Sequence, residues 1–199
     1  NNQLKQVTKE GRYLGHIPAP VKLTTELKSA VLNKRQNFDA RYDLRDYGYV
    51  SSVKDQGYCG ACWTFATMGA IESNWLKRGE GEYDLSENNM KNMHGYVWSA
   101  CSGGNPYIST SYLSRGSGPA LEADDPYLDY EDGGIENYDP IYYVGEARFL
   151  PNDSELIKQA LLDYGALYTN MHWSDKYYNS SNYTYCCTDV DSVANHGVL

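Results

Sequence analysis

Apolar residues recur at helical spacing most clearly over residues 62–78. Phe65, Met68, Ile71 and Trp75 stand three or four apart, which places them on one helix face, and Gly79 follows as a stop. Ser86 ahead of Glu87-Asn88-Asn89-Met90-Lys91 predicts the N-cap of a second, shorter helix. Further on, Asn152-Asp153-Ser154 predicts the start of a helix whose Leu156, Ile157, Ala160 and Leu161 share a face and which Gly165 closes. Strand character is confined to the second half. Residues 141–144 and 147–150 are aromatic and β-branched, and residues 166–171 return to a strand pattern. Residues 102–134, rich in Gly, Ser, Pro and Asp, predict long surface loops. Helices first and strands later give an α+β fold with segregated halves.

The first 36 residues follow neither period. They are polar, and Pro18 and Pro20 favour extended chain over helix. This divides the sequence into an N-terminal extension, 1–36, and a domain, 37–199. The extension is expected to be a strap or a propeptide remnant. Lacking an amphipathic helix, it is expected to pack on the outside as a strap rather than to inhibit.

Composition narrows the function. A formal charge of −9 with no long Lys/Arg run argues against a nucleic-acid partner. No stretch approaches the roughly 18 consecutive apolar residues of a membrane helix. Five cysteines, at 59, 62, 101, 186 and 187, leave at least one thiol unpaired within a monomer. Asn152, Asn179 and Asn182 open N-x-[ST] sequons, which fit a secreted or cell-surface chain. No Cys/His cluster has zinc spacing, so no metal and no cofactor is expected.

The chemistry concentrates in Gln56-Gly57-Tyr58-Cys59-Gly60-Ala61-Cys62-Trp63. This stretch places the Cys62 thiol in the first turn of the long helix. Unpaired N–H groups there carry partial positive charge, which favours a thiolate. A thiolate nucleophile needs a base. Of His16, His94, His172 and His196, only His196 follows an Asn and precedes a small-apolar run, Gly197-Val198-Leu199.

Cys59 to Trp63 resemble the C-G-[SA]-C-[WY] signature of papain-like cysteine peptidases, and His196 follows at the roughly 130–150-residue separation that goes with it. Phe38 to Asp46 resemble the start of the family's mature domain. The resemblance implies a helical half and a β-barrel-like half with the active cleft between them. It implies Cys62 as nucleophile, His196 as its acid–base partner and the Gln56 amide as oxyanion donor. Cys101-Ser102-Gly103-Gly104 resembles the family's Cys-x-Gly-Gly, which implies a Cys59–Cys101 disulfide. Gly103 and Gly104 would then present backbone to substrate. Asn105 and Pro106 would line the pocket for the second residue before the cut, with Asn170 on another wall and Trp63 and Asn195 beside the catalytic pair. The family's third catalytic residue, an asparagine after the histidine, would fall beyond Leu199, so the last part of the fold is expected outside this sequence, in further chain or domains. Cys186 and Cys187 remain open between a vicinal disulfide and a bridge elsewhere.

The reading is a secreted cysteine endopeptidase acting on protein or peptide substrates through a Cys62 thioester. Its rivals are a silent papain-like scaffold on a cell surface, or an exopeptidase whose cleft is half filled by residues 102–134.

Overall fold

The computed structural model describes residues 6–19, 37–133 and 140–199. The expectations for residues 1–5 and 20–36, and the Gly134 end of the expected long loop, lie outside them. Four α-helices lie among the described residues: α1 Cys62–Arg78, α2 Glu87–Met93, α3 Pro106–Ser114 and α4 Ser154–Tyr164. The strands are short: β1 Thr169–Met171, β2 Tyr178–Asn179, β3 Thr184–Tyr185 and β4 His196–Val198.

Helix α1 starts and stops where the periodicity places it. Gly79 adopts a left-handed conformation, and the N–H groups of Gly79 and Glu80 close the end on the Leu76 and Trp75 carbonyls. The single apolar face proves too narrow a description. Thr64, Thr67, Glu72 and Ser73 are buried as well, so other elements surround the helix. Its apolar side meets Leu85, Met90, Ile108, Tyr112 and Leu113 in the main core, together with Trp63, Met68 and Trp75 of its own. Each such side chain contributes about 1.5–3 kcal/mol by leaving water. The buried Glu72 carboxylate is matched by Lys54, whose ammonium also reaches Glu87 and the Leu85 carbonyl.

Helix α2 is capped by Ser86, whose hydroxyl accepts from the Asn89 N–H, as expected. Asp153 caps α4 by accepting from Glu155 and Leu156, and Gly165 follows its end. Helix α3 corrects the expectation of loops throughout residues 102–134. Asn105 accepts from the Tyr107 and Ile108 N–H groups, and Pro106 supplies the first helical residue, where no N–H is needed. The segment after α3 is pinned too. The fully buried Lys91 ammonium donates to the Leu128 and Tyr130 carbonyls at 2.7 and 2.8 Å and to Asn88 at 2.7 Å.

Residues 141–144 and 147–150 are not strands. Their apolar groups pack on the helical half instead. Ile141 and Val144 join the core, Tyr142 meets Trp75 edge-on, and Phe149 stacks on Tyr107. The expected strand at 166–171 shortens to Thr169–Met171. It pairs antiparallel with β4, setting Thr169 opposite Val198, Asn170 opposite Gly197 and Met171 opposite His196. β2 and β3 form a separate antiparallel ribbon. These two-stranded pieces represent the β half among the described residues.

Candidate active site

The site lies where β4 meets the first turn of α1. Gly197 lets this contact form without displacing Tyr168: a Cβ there would fall 2.8 Å from the Tyr168 hydroxyl, which would have to shift. The approach carries the Gly197 N–H to 3.2 Å from Cys62 Sγ. Cys62 is a free, buried thiol, whereas Cys59 is bonded to Cys101, as the resemblance implies. That bridge ties the nucleophile loop to the Gly103–Gly104 loop, and the Gly60 N–H donates to the Cys101 carbonyl.

Cys62, His196, Gln56, Phe65 and Trp173 line a groove of about 970 Å³, together with Tyr13 and Leu14 of the N-terminal segment. Residues 7–13 form a small hairpin closed by a Val7–Tyr13 bridge. The chain then runs through the groove. Gln56 Nε2 donates to the Tyr13 carbonyl at 2.7 Å, and the His196 Nδ1–H donates to the Leu14 carbonyl at 3.1 Å. Gly104 N–H donates to the Gly15 carbonyl at 2.8 Å and Ile17 N–H to the Gly104 carbonyl at 2.9 Å. Leu14 and Ile17 are buried. The expectation of an outside strap therefore fails for residues 13–17. The extension needed no amphipathic helix to enter the groove, because extended chain can satisfy its backbone groups on Gly104, Asn195 and Gln56.

This covering dominates the electrostatics. Burial pushes the Cys62 thiol up to about 12, against the opposing effect of the Gly197 and Trp63 N–H groups. Burial likewise lowers the His196 imidazole. In the covered state both groups are held neutral, and their hydrogen bonds go to Gly197 and Leu14. The helix-terminus effect expected to lower the thiol is present in the Trp63 N–H, but desolvation outweighs it.

The other expected site residues divide. Gly103 and Gly104 contact the segment: the Gly104 N–H donates to the Gly15 carbonyl, and a Cβ on Gly103 would fall 2.4 Å from that oxygen. Asn105 is buried; its oxygen caps α3, and its Nδ2 donates to the Ile17 carbonyl at 3.1 Å. Pro106 opens α3, and Asn170 is exposed on β1 opposite Gly197. Trp63 is fully buried, so it lies beneath Gly104 and offers no surface to a ligand. Asn195 turns its side chain away to brace Trp173, accepting from its N–H at 2.6 Å and donating to its carbonyl at 3.0 Å. Only its backbone carbonyl reaches the segment, accepting from the His16 N–H.

His94 is buried edge-on against Trp63, and the half-buried His172 hydrogen-bonds to the Val193 carbonyl. Neither competes with His196. Cys186 and Cys187 are both free thiols. Trp173 escaped the sequence reading. It stacks on Tyr185 and stands edge-on to His196, a placement set by the β2–β3 ribbon rather than by any local motif.

A thiol on a helix N-terminus, an imidazole on the adjoining strand and an amide donor from the loop before the helix line one groove of an α+β fold. The chain belongs to the papain family of cysteine proteases, whose profile matches residues 37–199. It is 36% identical over 131 residues to rat (Rattus norvegicus) cathepsin 7, a match covering 63% of this chain and 38% of the relative. A structure of the cysteine protease and lectin-like domains of Cwp84, a surface layer associated protein of Clostridium difficile, superposes with TM-score 0.69. It is 27% identical, and the match covers 78% of this chain and 37% of that one. Digestive procathepsin L 3 of Tenebrio molitor larval midgut shares the fold with TM-score 0.68 at 23% identity, over 97% of this chain and 59% of that one. The chain thus spans less than two thirds of each of these relatives. No helix among the described residues is long and apolar enough to cross a membrane.

Proposed function

We propose that this chain carries the nucleophile half-site of a cysteine endopeptidase, held here in an inhibited precursor form. The observation that carries the reading is the convergence of Gln56 and His196, beside Cys62, on consecutive carbonyls of one extended peptide. With the groove open to substrate, Cys62 Sγ attacks the scissile carbonyl carbon while its proton resides on His196. The carbonyl oxygen gains negative charge and takes the place that the Tyr13 carbonyl occupies on Gln56 Nε2. His196 then gives its proton to the departing amine, leaving a Cys62 thioester. Water, deprotonated by His196, releases the acid.

The inhibited form follows from chain direction. Substrate residues before the cut are to lie along Gly103–Gly104, leading up to the carbonyl on Gln56. The segment places residues after Tyr13 there, and His16 pairs in parallel with Gly104. Its peptide bonds are presented backwards, with the His196 proton engaged by a carbonyl instead of a leaving nitrogen. Residues 105–133 give no support to an exopeptidase, because they pack behind the nucleophile loop, where the Tyr127 hydroxyl donates to the Gln56 carbonyl. A secreted or surface location is supported by the Cys59–Cys101 disulfide and the likeness to a surface-layer protein.

The test is turnover of a fluorogenic peptide library by the intact protein before and after removal of residues 1–36. Removal is expected to switch activity on, and Cys62→Ala to abolish it. Acyl-enzyme trapped on Cys62 would be seen by mass spectrometry. Peptide turnover that survives Cys62→Ala would refute the assignment.

A further inference from the structure

We propose that Asp55 and Asp175 select a basic residue, lysine or arginine, in the first two substrate positions after the cut. The proposal rests on the cysteine-peptidase reading and the chain direction given above. Residues after Tyr13 run along Gly104, where substrate before the cut is to lie. Residues 8–12 therefore cover the side that receives the chain after the cut. On that side two carboxylates of the domain grip the hairpin. The Arg12 guanidinium meets Asp55 Oδ1 at 2.5 Å, and the Lys9 N–H donates to Asp175 Oδ2 at 2.9 Å. Both acids line the groove together with Cys62 and His196.

The domain, not the hairpin, sets where these carboxylates stand. Asp55 Oδ1 accepts from the Gly57 N–H at 2.9 Å, which holds the turn around Gln56. Asp175 Oδ1 accepts from Trp173 Nε1 at 3.3 Å, and Trp173 stands edge-on to His196. One carboxylate thus adjoins the amide donor and the other the imidazole side of the groove. The Gly57 N–H first, and Arg12 second, hold the Asp55 carboxyl below its ordinary value, so it is charged at neutral pH.

When the hairpin leaves, the domain offers no spare cation to replace Arg12. Among the described residues lining the groove, the domain's cations are Arg45 and Lys54. Arg45 is held by Asp43 at 2.6 Å. Lys54 is shared by Glu72, Asp84 and Glu87 at 3.0, 2.7 and 2.9 Å. Lys176, next to Asp175, lies over the Tyr177 ring at 4.4 Å. A substrate cation is then the partner that restores the balance. The Arg12 and Asp55 side chains stay 43% and 62% exposed, so water screens the pair. An exposed ion pair of this kind is worth about 1.5- to 5-fold in a binding ratio. Two carboxylates that attract a cation and repel an anion give about tenfold between Arg and Glu.

The experiment is kcat/KM of the intact protein after residues 1–36 have been cleaved from it. The substrates are quenched peptides that share one sequence before the cut and carry Arg, Ala or Glu at the first or second position after it. Arg should exceed Glu by about tenfold at about 50 mM salt, with Ala between them. The ratio should fall to about twofold or less at about 1 M salt, where charges are screened within about 3 Å. It should fall likewise in the Asp55→Asn, Asp175→Asn double variant, whose amide oxygens can still accept from Gly57 and Trp173. Equal rates for Arg and Glu peptides in the wild type would overturn the proposal. So would a preference that survives both salt and the double variant. A coumarin amide, which has no residue after the cut, tests the peptidase reading separately. If it and the peptides are not turned over, that reading fails. Titration calorimetry of the same peptides onto the Cys62→Ala protein then decides the recognition: tighter binding of the Arg peptides supports it, and equal affinities overturn it.

Discussion

Gly15 is the point at which the N-terminal segment can be unseated with least damage to the domain. Its φ is 79°, and a Cβ built on it would lie 2.3 Å from the Gly60 carbonyl oxygen and 2.4 Å from the Gly60 carbonyl carbon. Gly60 is backbone held by its own N–H bond to Cys101 and flanked by the Cys59 disulfide, so it has little room to yield. Gly15→Ala therefore meets two costs. The left-handed conformation costs an alanine about 1–2 kcal/mol. The overlap, more than an ångström inside ordinary contact, adds to that until the segment lifts away. The first cost alone weakens docking by about 5–30-fold, since 1.4 kcal/mol is tenfold. Gly11→Ala is the matched control. Its φ is 81°, and nothing lies within 4 Å of a Cβ there, so it carries the conformational cost without the collision. The assay is the rate of Cys62 alkylation by an epoxide probe at pH 7.5. Gly15→Ala should label at least tenfold faster than Gly11→Ala, with the urea midpoint of the domain unchanged. Equal rates in the two variants would refute the threaded geometry.

Three further outcomes are expected. Gln56→Ala, measured after removal of the segment, should lower kcat by about 10²–10³-fold with little change in KM, as loss of one oxyanion donor does. Asn105→Asp keeps the cap on α3 but removes the donor to the Ile17 carbonyl. It should accelerate Cys62 labelling in the intact protein while leaving the melting temperature in place, whereas Asn105→Ala should also lose about 1 kcal/mol of cap energy in urea titration. Lys91→Met strips a buried donor from the Leu128 and Tyr130 carbonyls and should cost about 2–4 kcal/mol, with protease nicking appearing between residues 125 and 133.

Local chemistry fixed much of this molecule in advance. The limits of α1 follow from periodicity and Gly79, and the α2 and α4 starts from Ser86 and Asp153, because capping is a contact between near neighbours. The assignment of Cys59 and Cys101 as partners, with Cys62 left free, was legible through the motif around them. What sequence could not supply depends on distant groups. Residues 141–150 have strand composition but pair with no strand among the described residues; Ile141 and Val144 pack against the helical core instead. Asn105 reads as a pocket residue, yet α3 claims its oxygen as a cap. Asn195 adjoins His196, yet its amide serves Trp173. Above all, the path of residues 13–17 was invisible, because extended chain shows no period. Its place was decided by side-chain donors on Gln56 and His196 and by backbone groups on Gly104 and Asn195, which only the tertiary fold brings together, and by Gly15, whose missing side chain lets the peptide pass Gly60.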